Sequence, residues 1–433
     1  MTLARPANVN HGRFDGPIRV SSNGRHFVSA SGEPFFWLGD TGWPLVTHYT
    51  PDEVDRYLED RAAKGFTVVQ AVLAWGKPDE TIGFQGTRPG PNHAGHLPWL
   101  GSAAEPNPAY FENVDLVAAK AERLGIVLAL LPIWGNFVND LREVDVATAY
   151  ANGRWTGARY RDCPNLVWMN GGDREGTGFE DVWRALAHGL RDGDEGRHLI
   201  TFHPCGPRSS SYFFHEDDWL GFNMAQIWTE WTRTYATVMA DYVRLPTKPI
   251  VMAEGAYEEG PEYPMGPVTP LLMRRQAWWS LMAGGFYTYG HAQMWRQDPG
   301  WLDKLDAPGA RHMKVYRDIA TSRPWWRMIP DQSIFGIGQS SGRTLNASMR
   351  TLDRTCAIVY LSEPCHFVLY LERVATPRVK ATWVDPRSGD TLDGGTFTTG
   401  NPPTVEVLGN WTTQCFQTPP LWEDAVLVLD GIE

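Results

Sequence analysis

Eight short apolar runs, separated by stretches with helical signals, constrain this chain more than any other feature of its sequence. They occupy residues 35–38, 67–73, 126–131, 166–169, 198–202, 219–225, 249–253 and 285–291. Each is too short for a stable helix and is bounded by Gly, Pro or polar residues, so each reads as a buried strand. The first intervening helix is well punctuated: Thr50 as N-cap, Pro51 at the first position, Asp52 and Glu53 in the first turn, an apolar face of Val54, Tyr57, Leu58 and Ala62, and a stop at Gly65. Pro108 opens the second helix and Gly125 closes it; residues 182–190 and 269–282 read as helices further on. Strands alternating with helices eight times predict an α/β architecture, the (β/α)8 TIM barrel.

The chain has 433 residues, more than one barrel needs. From about Ser333 the texture changes to short alternating strands at 355–361, 367–371, 381–384, 404–407 and 425–429. Turn clusters such as Pro386-Arg387-Ser388-Gly389-Asp390 and Asp393-Gly394-Gly395 separate them. This spacing predicts a C-terminal antiparallel β-sandwich. The expected division is an N-terminal hairpin extension over 1–34 that plugs one end of the barrel, the barrel over 35–330, and the sandwich over 331–433.

In a barrel of this kind, chemistry sits at the C-terminal ends of the strands. The fourth run ends in Asn170-Gly171-Gly172-Asp173, where two glycines let the backbone turn and hold a carboxylate at the rim of the core. The plainer alternative is that Asp173 caps the helix beginning near Phe179. The seventh run ends in Glu254-Gly255. Two carboxylates at the ends of two strands of one sheet are what glycoside hydrolysis needs, one to protonate the leaving oxygen and one to attack or to activate water. Asp173 and Glu254 are therefore the expected catalytic pair, with Glu258 the rival of Glu254 unless it lies on a solvated face.

Twenty tryptophans are present, and Trp43, Trp75, Trp134, Trp228 and Trp295 each follow the end of a different strand. Five on one rim predict a carbohydrate cleft, since indole is a flat platform for the apolar face of a sugar. Asp40, Asn170, His203, Gln226, Tyr257 and His291 occupy strand ends from which side chains reach substrate or support those that do.

A net charge of −11 excludes a nucleic-acid or anionic-membrane partner, because no basic surplus exists to neutralise phosphates. The five cysteines are scattered without C-x-x-C spacing, so neither a disulfide framework nor a zinc site is expected; at most Cys356 and Cys365 pair. The only compact histidine pair, His93 and His96, lies in a Gly/Pro-rich loop. No metal and no cofactor are expected. The opening residues lack an apolar signal-peptide core and no run reaches the length of a membrane span, so the expectation is a soluble cytoplasmic protein. Nothing in the sequence fixes an oligomeric state.

The motifs FFWLGDTGW, KGFTVVQAVLAWG, NLVWMNGGD, MAEGAYE, SRPWWRMIPDQ and WVDPRSG, in this order from about Pro17 onward, resemble the apiosidase-like glycoside hydrolases, glycoside hydrolase family 140. The resemblance implies a (β/α)8 barrel with an Asp acid/base in the GGD element, here Asp173, and a Glu nucleophile after the seventh strand, here Glu254. It also implies release of apiose from side chains of pectic rhamnogalacturonan II. The expected mechanism is retaining hydrolysis, with the two carboxylates roughly 5 to 5.5 Å apart, whereas a separation of about 6.5 to 9.5 Å would indicate inversion. A glycosidase of other specificity, such as an arabinofuranosidase or an endo-β-glycanase, and a non-catalytic carbohydrate-binding barrel are the alternatives.

Overall fold

The computed structural model describes residues 14–75, 88–228, 230–260, 267–399 and 413–433. Its centre is eight parallel strands: β1 (Leu38–Thr41), β2 (Val68–Val72), β3 (Val127–Leu131), β4 (Leu166–Gly171), β5 (Ile200–His203), β6 (Asn223–Gln226), β7 (Ile250–Glu254) and β8 (Phe286–Tyr289). They pair in chain order, with β8 returning beside β1. The ring closes between β5 and the approach to β6, where Gly221 N–H donates to the Ile200 carbonyl at 2.8 Å and the Thr201 hydroxyl to the Phe222 carbonyl at 2.7 Å.

Around the ring run α1 (Pro51–Ala63), α2 (Pro108–Arg123), α3 (Val146–Tyr160), α4 (Glu180–Asp194), α5 (Thr234–Tyr242), α6 (Pro270–Met282) and α7 (Pro308–Thr321). The fifth crossover has instead a strand, Arg208–Ser209, antiparallel to β6, and a short helix, Ser211–Phe214. α1 starts as its sequence dictates. Thr50 accepts from Glu53 N–H, the Glu53 carboxylate accepts from Thr50 N–H, and Pro51 occupies the first turn.

The first strand lies three residues later than its apolar run. Pro34–Phe35 instead joins a small N-terminal sheet with Arg19–Val20 and Phe27–Val28. From that sheet Phe27 inserts among Trp37, Phe222 and Phe286, at ring distances of 5.2, 5.0 and 5.5 Å. These three stand at or just before the starts of β1, β6 and β8, so the sheet plugs the end of the barrel away from the strand C-termini. An apolar run does not distinguish a strand from a plug, and here it serves partly as each.

The C-terminal domain packs a six-stranded sheet against a three-stranded one. The six are Met328–Pro330, Ala347–Thr351, Cys356–Leu361, Ala425–Ile432, Arg378–Val384 and Thr391–Thr398; the three are Phe335–Ile337, His366–Tyr370 and Thr413–Gln417. Val359, Leu361, Phe367, Leu369, Trp383 and Phe416 fill the space between the sheets. Asp393-Gly394-Gly395 is not a turn. It lies within a strand, where Gly394 is the extra residue of a bulge opposite Ala381 and Thr382. The expected strand at 404–407 falls outside the described residues. All five cysteines are free, so Cys356 and Cys365 do not pair. Among the described residues, no helix is long and apolar enough to cross a membrane.

The two domains are clamped through α6. Arg274, 1 % exposed, reaches both Asp424 oxygens, at 2.7 and 2.9 Å, and Glu423 at 3.0 Å. Its remaining nitrogen meets His312, whose burial pushes its pKa down to about 4, so the neutral ring accepts at 3.0 Å. Trp278 stacks on Tyr360 at 5.7 Å, and Trp279 donates to the Leu345 carbonyl at 2.9 Å. Removing one partner of a buried ion pair strands the other charge, at a cost of about 3–5 kcal/mol. Arg274→Ala is therefore expected to lower the thermal midpoint of the whole chain by several degrees in a calorimetric scan. A midpoint within one degree of wild type would show that the clamp contributes nothing.

Candidate active site

Asp173 and Glu254 meet above the C-terminal ends of β4 and β7. β4 runs through Gly171, and the next two residues turn sharply: Gly171, Gly172 and Asp173 all have positive φ, 90°, 109° and 51°. A side chain at 171 would fall 2.2 Å from the His203 carbonyl, and one at 172 would fall 2.6 Å from the Trp134 ring. The glycine pair thus permits a close wrap of chain that ends in a strained aspartate. The helix that follows is capped at Phe179 without a side-chain bond, so Asp173 is not a helix cap.

Around the pair the contacts are specific. Gln226 Nε2 donates to Asp173 Oδ1 at 2.7 Å, and Trp228 Nε1 donates to Glu254 Oε1 at 3.1 Å. His203 Nε2 stands 3.1 Å from Glu254 Oε2, although the ring is not aligned for a hydrogen bond. Ligand atoms of Asp173, His203 and Glu254 all lie within 4.8 Å of one another. Tyr257 is buried beside them; burial and the charges of Glu254 and Asp173 drive its phenol pKa well above the usual value, so it stays a neutral hydroxyl.

Electrostatics single out Asp173. Burial, together with the negative Glu254, raises Asp173 to about pKa 7, against the opposing pull of His203, Gln226 and Arg174. Burial also disfavours a charged His203, but Glu254 and Asp173 outweigh it and raise its pKa. An imidazole drawn towards protonation is a poor metal ligand, since a ligating nitrogen must be bare, and Gln226 points an N–H at the Asp173 oxygen a cation would want.

Trp43, Trp134, Trp75 and Trp295 form a continuous row. Trp43 lies 5.3 Å from both Trp134 and His203, Trp134 6.2 Å from Trp75, and Trp75 6.2 Å from Trp295. None is more than 9 % exposed, so they are walls of the site rather than open platforms. Trp228, on the Glu254 side, is the half-exposed one.

Three expected members lie elsewhere. Asp40 is inside β1, not past it, and its carboxylate is taken by two α1 residues, Tyr57 at 2.5 Å and Arg61 at 2.7 Å. Asn170 donates to the Trp183 carbonyl on α4 at 3.1 Å. His291 caps a short helix at Gln293 and lies 3.7 Å from Glu259; burial pushes its pKa down to about 4. Asp40 and Asn170 face the helical layer, and His291 supports the short helix that carries Trp295. Glu258, the rival nucleophile, is 1 % exposed rather than solvated, and its oxygens are filled by Tyr289 at 2.5 Å and Gly309 N–H at 2.9 Å.

Two glutamines brace the chain around Glu254 without any expectation from the sequence. Gln70 on β2 donates to the Ala253 carbonyl at 3.0 Å and to Thr41 at 2.9 Å. Gln276 on α6 accepts from Ala256 N–H at 2.8 Å and donates to its carbonyl at 3.2 Å. A polar residue in the middle of VVQAV was the available signal for Gln70. The sequence of α6 offers none for Gln276.

A family described as "Apiosidase-like, catalytic domain" matches residues 21–327, and one described as "Putative collagen-binding domain of a collagenase" matches 329–430. A glycoside hydrolase family 5 structure from Bacteroides vulgatus is 26 % identical with a TM-score of 0.84, covering 96 % of this chain and 94 % of its own. A second structure, described only as a glycoside hydrolase, is also 26 % identical at a TM-score of 0.84, with 97 % of each chain covered. A GH27 β-L-arabinopyranosidase from Geobacillus stearothermophilus shares the fold alone, at 11 % identity and a TM-score of 0.55 over 92 % of this chain and 97 % of its own. No curated protein matches.

Proposed function

Because the chain belongs to the apiosidase-like catalytic-domain family and is a glycoside hydrolase, we propose that it is a retaining, exo-acting enzyme that releases a furanosyl sugar such as apiose from plant-derived glycans or glycosides. The observation that carries the retaining part of this reading is that one oxygen of Asp173 and one of Glu254 lie within 4.8 Å of each other. Retaining enzymes hold their carboxyl groups about 5–5.5 Å apart, whereas inverting ones leave about 6.5–9.5 Å for a water molecule.

Glu254 attacks the anomeric carbon as the bond to the leaving oxygen breaks, and protonated Asp173 gives its proton to that oxygen. A glycosyl ester on Glu254 results. Water then attacks the same carbon, Asp173 takes its proton, and the ester bond breaks to return Glu254 as carboxylate. Asp173 must therefore begin protonated, which its raised pKa permits near neutrality. His203, whose pKa the two acids raise, stands 3.1 Å from Glu254 Oε2.

A panel of aryl glycosides, apiofuranosides and arabinofuranosides beside pyranosides, tests the proposal. Turnover of a furanoside is expected, with kcat/KM falling as pH rises through about 7, since deprotonation of Asp173 removes the proton donor. Turnover confined to pyranosides would refute the furanosyl assignment. An alkaline limb set by no group near pH 7 would refute the acid.

A further inference from the structure

Asp173 and Glu254 come from β4 and β7, yet both carboxylates are held from a single three-residue stretch at the end of β6. Gln226 takes Asp173 and Trp228 takes Glu254. The geometry that allows this is a slip in register. Asn223, Met224 and Ala225 align with Ile250, Val251 and Met252, and Gln226 then aligns with Glu254, so one residue of β7 is skipped. A bulge of this kind re-aims the side chains beyond it. Ile227 N–H donates to the Glu254 carbonyl at 2.9 Å and pins the stretch in place.

Both ends of the arrangement are strained. Trp228 and Asp173 have φ of 44° and 51°, which non-glycine residues keep only where their surroundings over-determine them. Gln226 is fully buried, and its Oε1 has no hydrogen-bond partner. Burying an amide with one end unsatisfied is unfavourable by roughly 1–3 kcal/mol.

We propose that Gln226 is the positioning residue of the acid/base: its amide N–H holds Asp173 Oδ1, fixes the orientation of the carboxyl group, and keeps its proton from being held too tightly. Trp228 performs the corresponding task for Glu254, fixing Oε1 so that Oε2 faces the anomeric carbon. The inference rests on the assignment of Asp173 as acid/base. An N–H donor favours the ionised form of the carboxyl it touches. The ionisable groups facing Asp173 are Glu254 on β7 with Tyr257 beyond it, His203 at the end of β5, and the adjacent Arg174. Replacing Gln226 by methionine removes a donor and no charge.

The test compares wild type with Gln226→Met, Gln226→Glu and Trp228→Phe in two measurements: the alkaline limb of kcat/KM, and the carboxyl titration of Asp173 by NMR in enzyme labelled with 13C at aspartate Cγ, assigned with Asp173→Asn. Gln226→Met is expected to move both upward by about one pH unit and to lower kcat by about 10- to 100-fold, with KM changed by less than about threefold. Gln226→Glu, nearly isosteric and able to carry the test if the methionine variant does not fold, is expected to move them further, because it adds a third carboxylate. Trp228→Phe should lower kcat and leave the limb in place. A limb and a titration both unmoved in Gln226→Met, with the rate merely reduced, would overturn the proposal and make Gln226 a structural or substrate contact. If Asp173→Asn kept full activity, the acid/base assignment would fall instead, while the NMR titration would still report whether Gln226 governs Asp173.

Discussion

Glu254→Ala is expected to lose turnover of every substrate by on the order of 100,000-fold, whatever the leaving group. The reason is positional. Glu254 is held by Trp228 on one oxygen, stands against His203 with the other, and rests on a peptide braced by Gln70 and Gln276, so no second carboxylate can move into its place. Glu258 does not substitute, because Tyr289 and Gly309 occupy both its oxygens. The cavity left by the missing side chain admits a small anion. Added azide is expected to attack the anomeric carbon from the side Glu254 had occupied, restoring turnover and giving a glycosyl azide of inverted configuration. Wild-type rates in Glu254→Ala would remove it from the mechanism, and rescue with retained configuration would mean that the two carboxylates had been given each other's roles.

Asp173→Ala is expected to show a different pattern. With an alkyl leaving group, which needs its proton, kcat/KM should fall by about 100- to 10,000-fold. With an activated aryl leaving group, the first step should be little affected and the second slow, because no base is left to deprotonate water. A burst of released phenol followed by slow turnover is the expected trace. Azide needs no deprotonation, so it should relieve the second step and yield a glycosyl azide of retained configuration. Equal losses on good and poor leaving groups would show that Asp173 holds substrate or structure rather than transferring a proton. The two variants thus exchange both the leaving-group dependence and the stereochemistry of rescue, which a general loss of folding cannot imitate.

Much of the fold was legible in the sequence because most barrel strands are short apolar runs that stop at glycine or a polar residue. Leu166–Gly171 and Ile250–Glu254 announce themselves by that stop, which places Asp173 and Glu254 on the same rim. Strand-end position alone could not say which way a side chain points. Gln226 and Asn170 are both polar residues at strand ends, yet one faces Asp173 and the other the Trp183 carbonyl on α4. Asp40 was misplaced because FFWL belongs partly to the bottom plug, which shifted the strand and turned its carboxylate towards Arg61. The register slip beside Gln226 was invisible for a related reason: it depends on which residues of β7 lie opposite, and pairing between strands is not written in either strand alone. In the C-terminal domain, Asp393-Gly394-Gly395 has turn chemistry but is used as a bulge, since a partner strand overrides local preference.

The clamp at Arg274 bears on how this enzyme can be divided. Arg274 and Gln276 are two residues apart on α6: the first is neutralised by Asp424 of the sandwich, and the second holds the peptide beyond the nucleophile. Cutting the chain between the two matched regions, at residue 328, would strip Arg274 of its carboxylates and uncover the face of α6 that the sandwich packs on, the helix whose Gln276 holds the peptide at Ala256. Family boundaries mark residue 328 as a seam, but by its ion pairs the chain has none there. A library that recombined barrels with foreign sandwiches would have to carry the Arg274–Asp424 pairing across the junction.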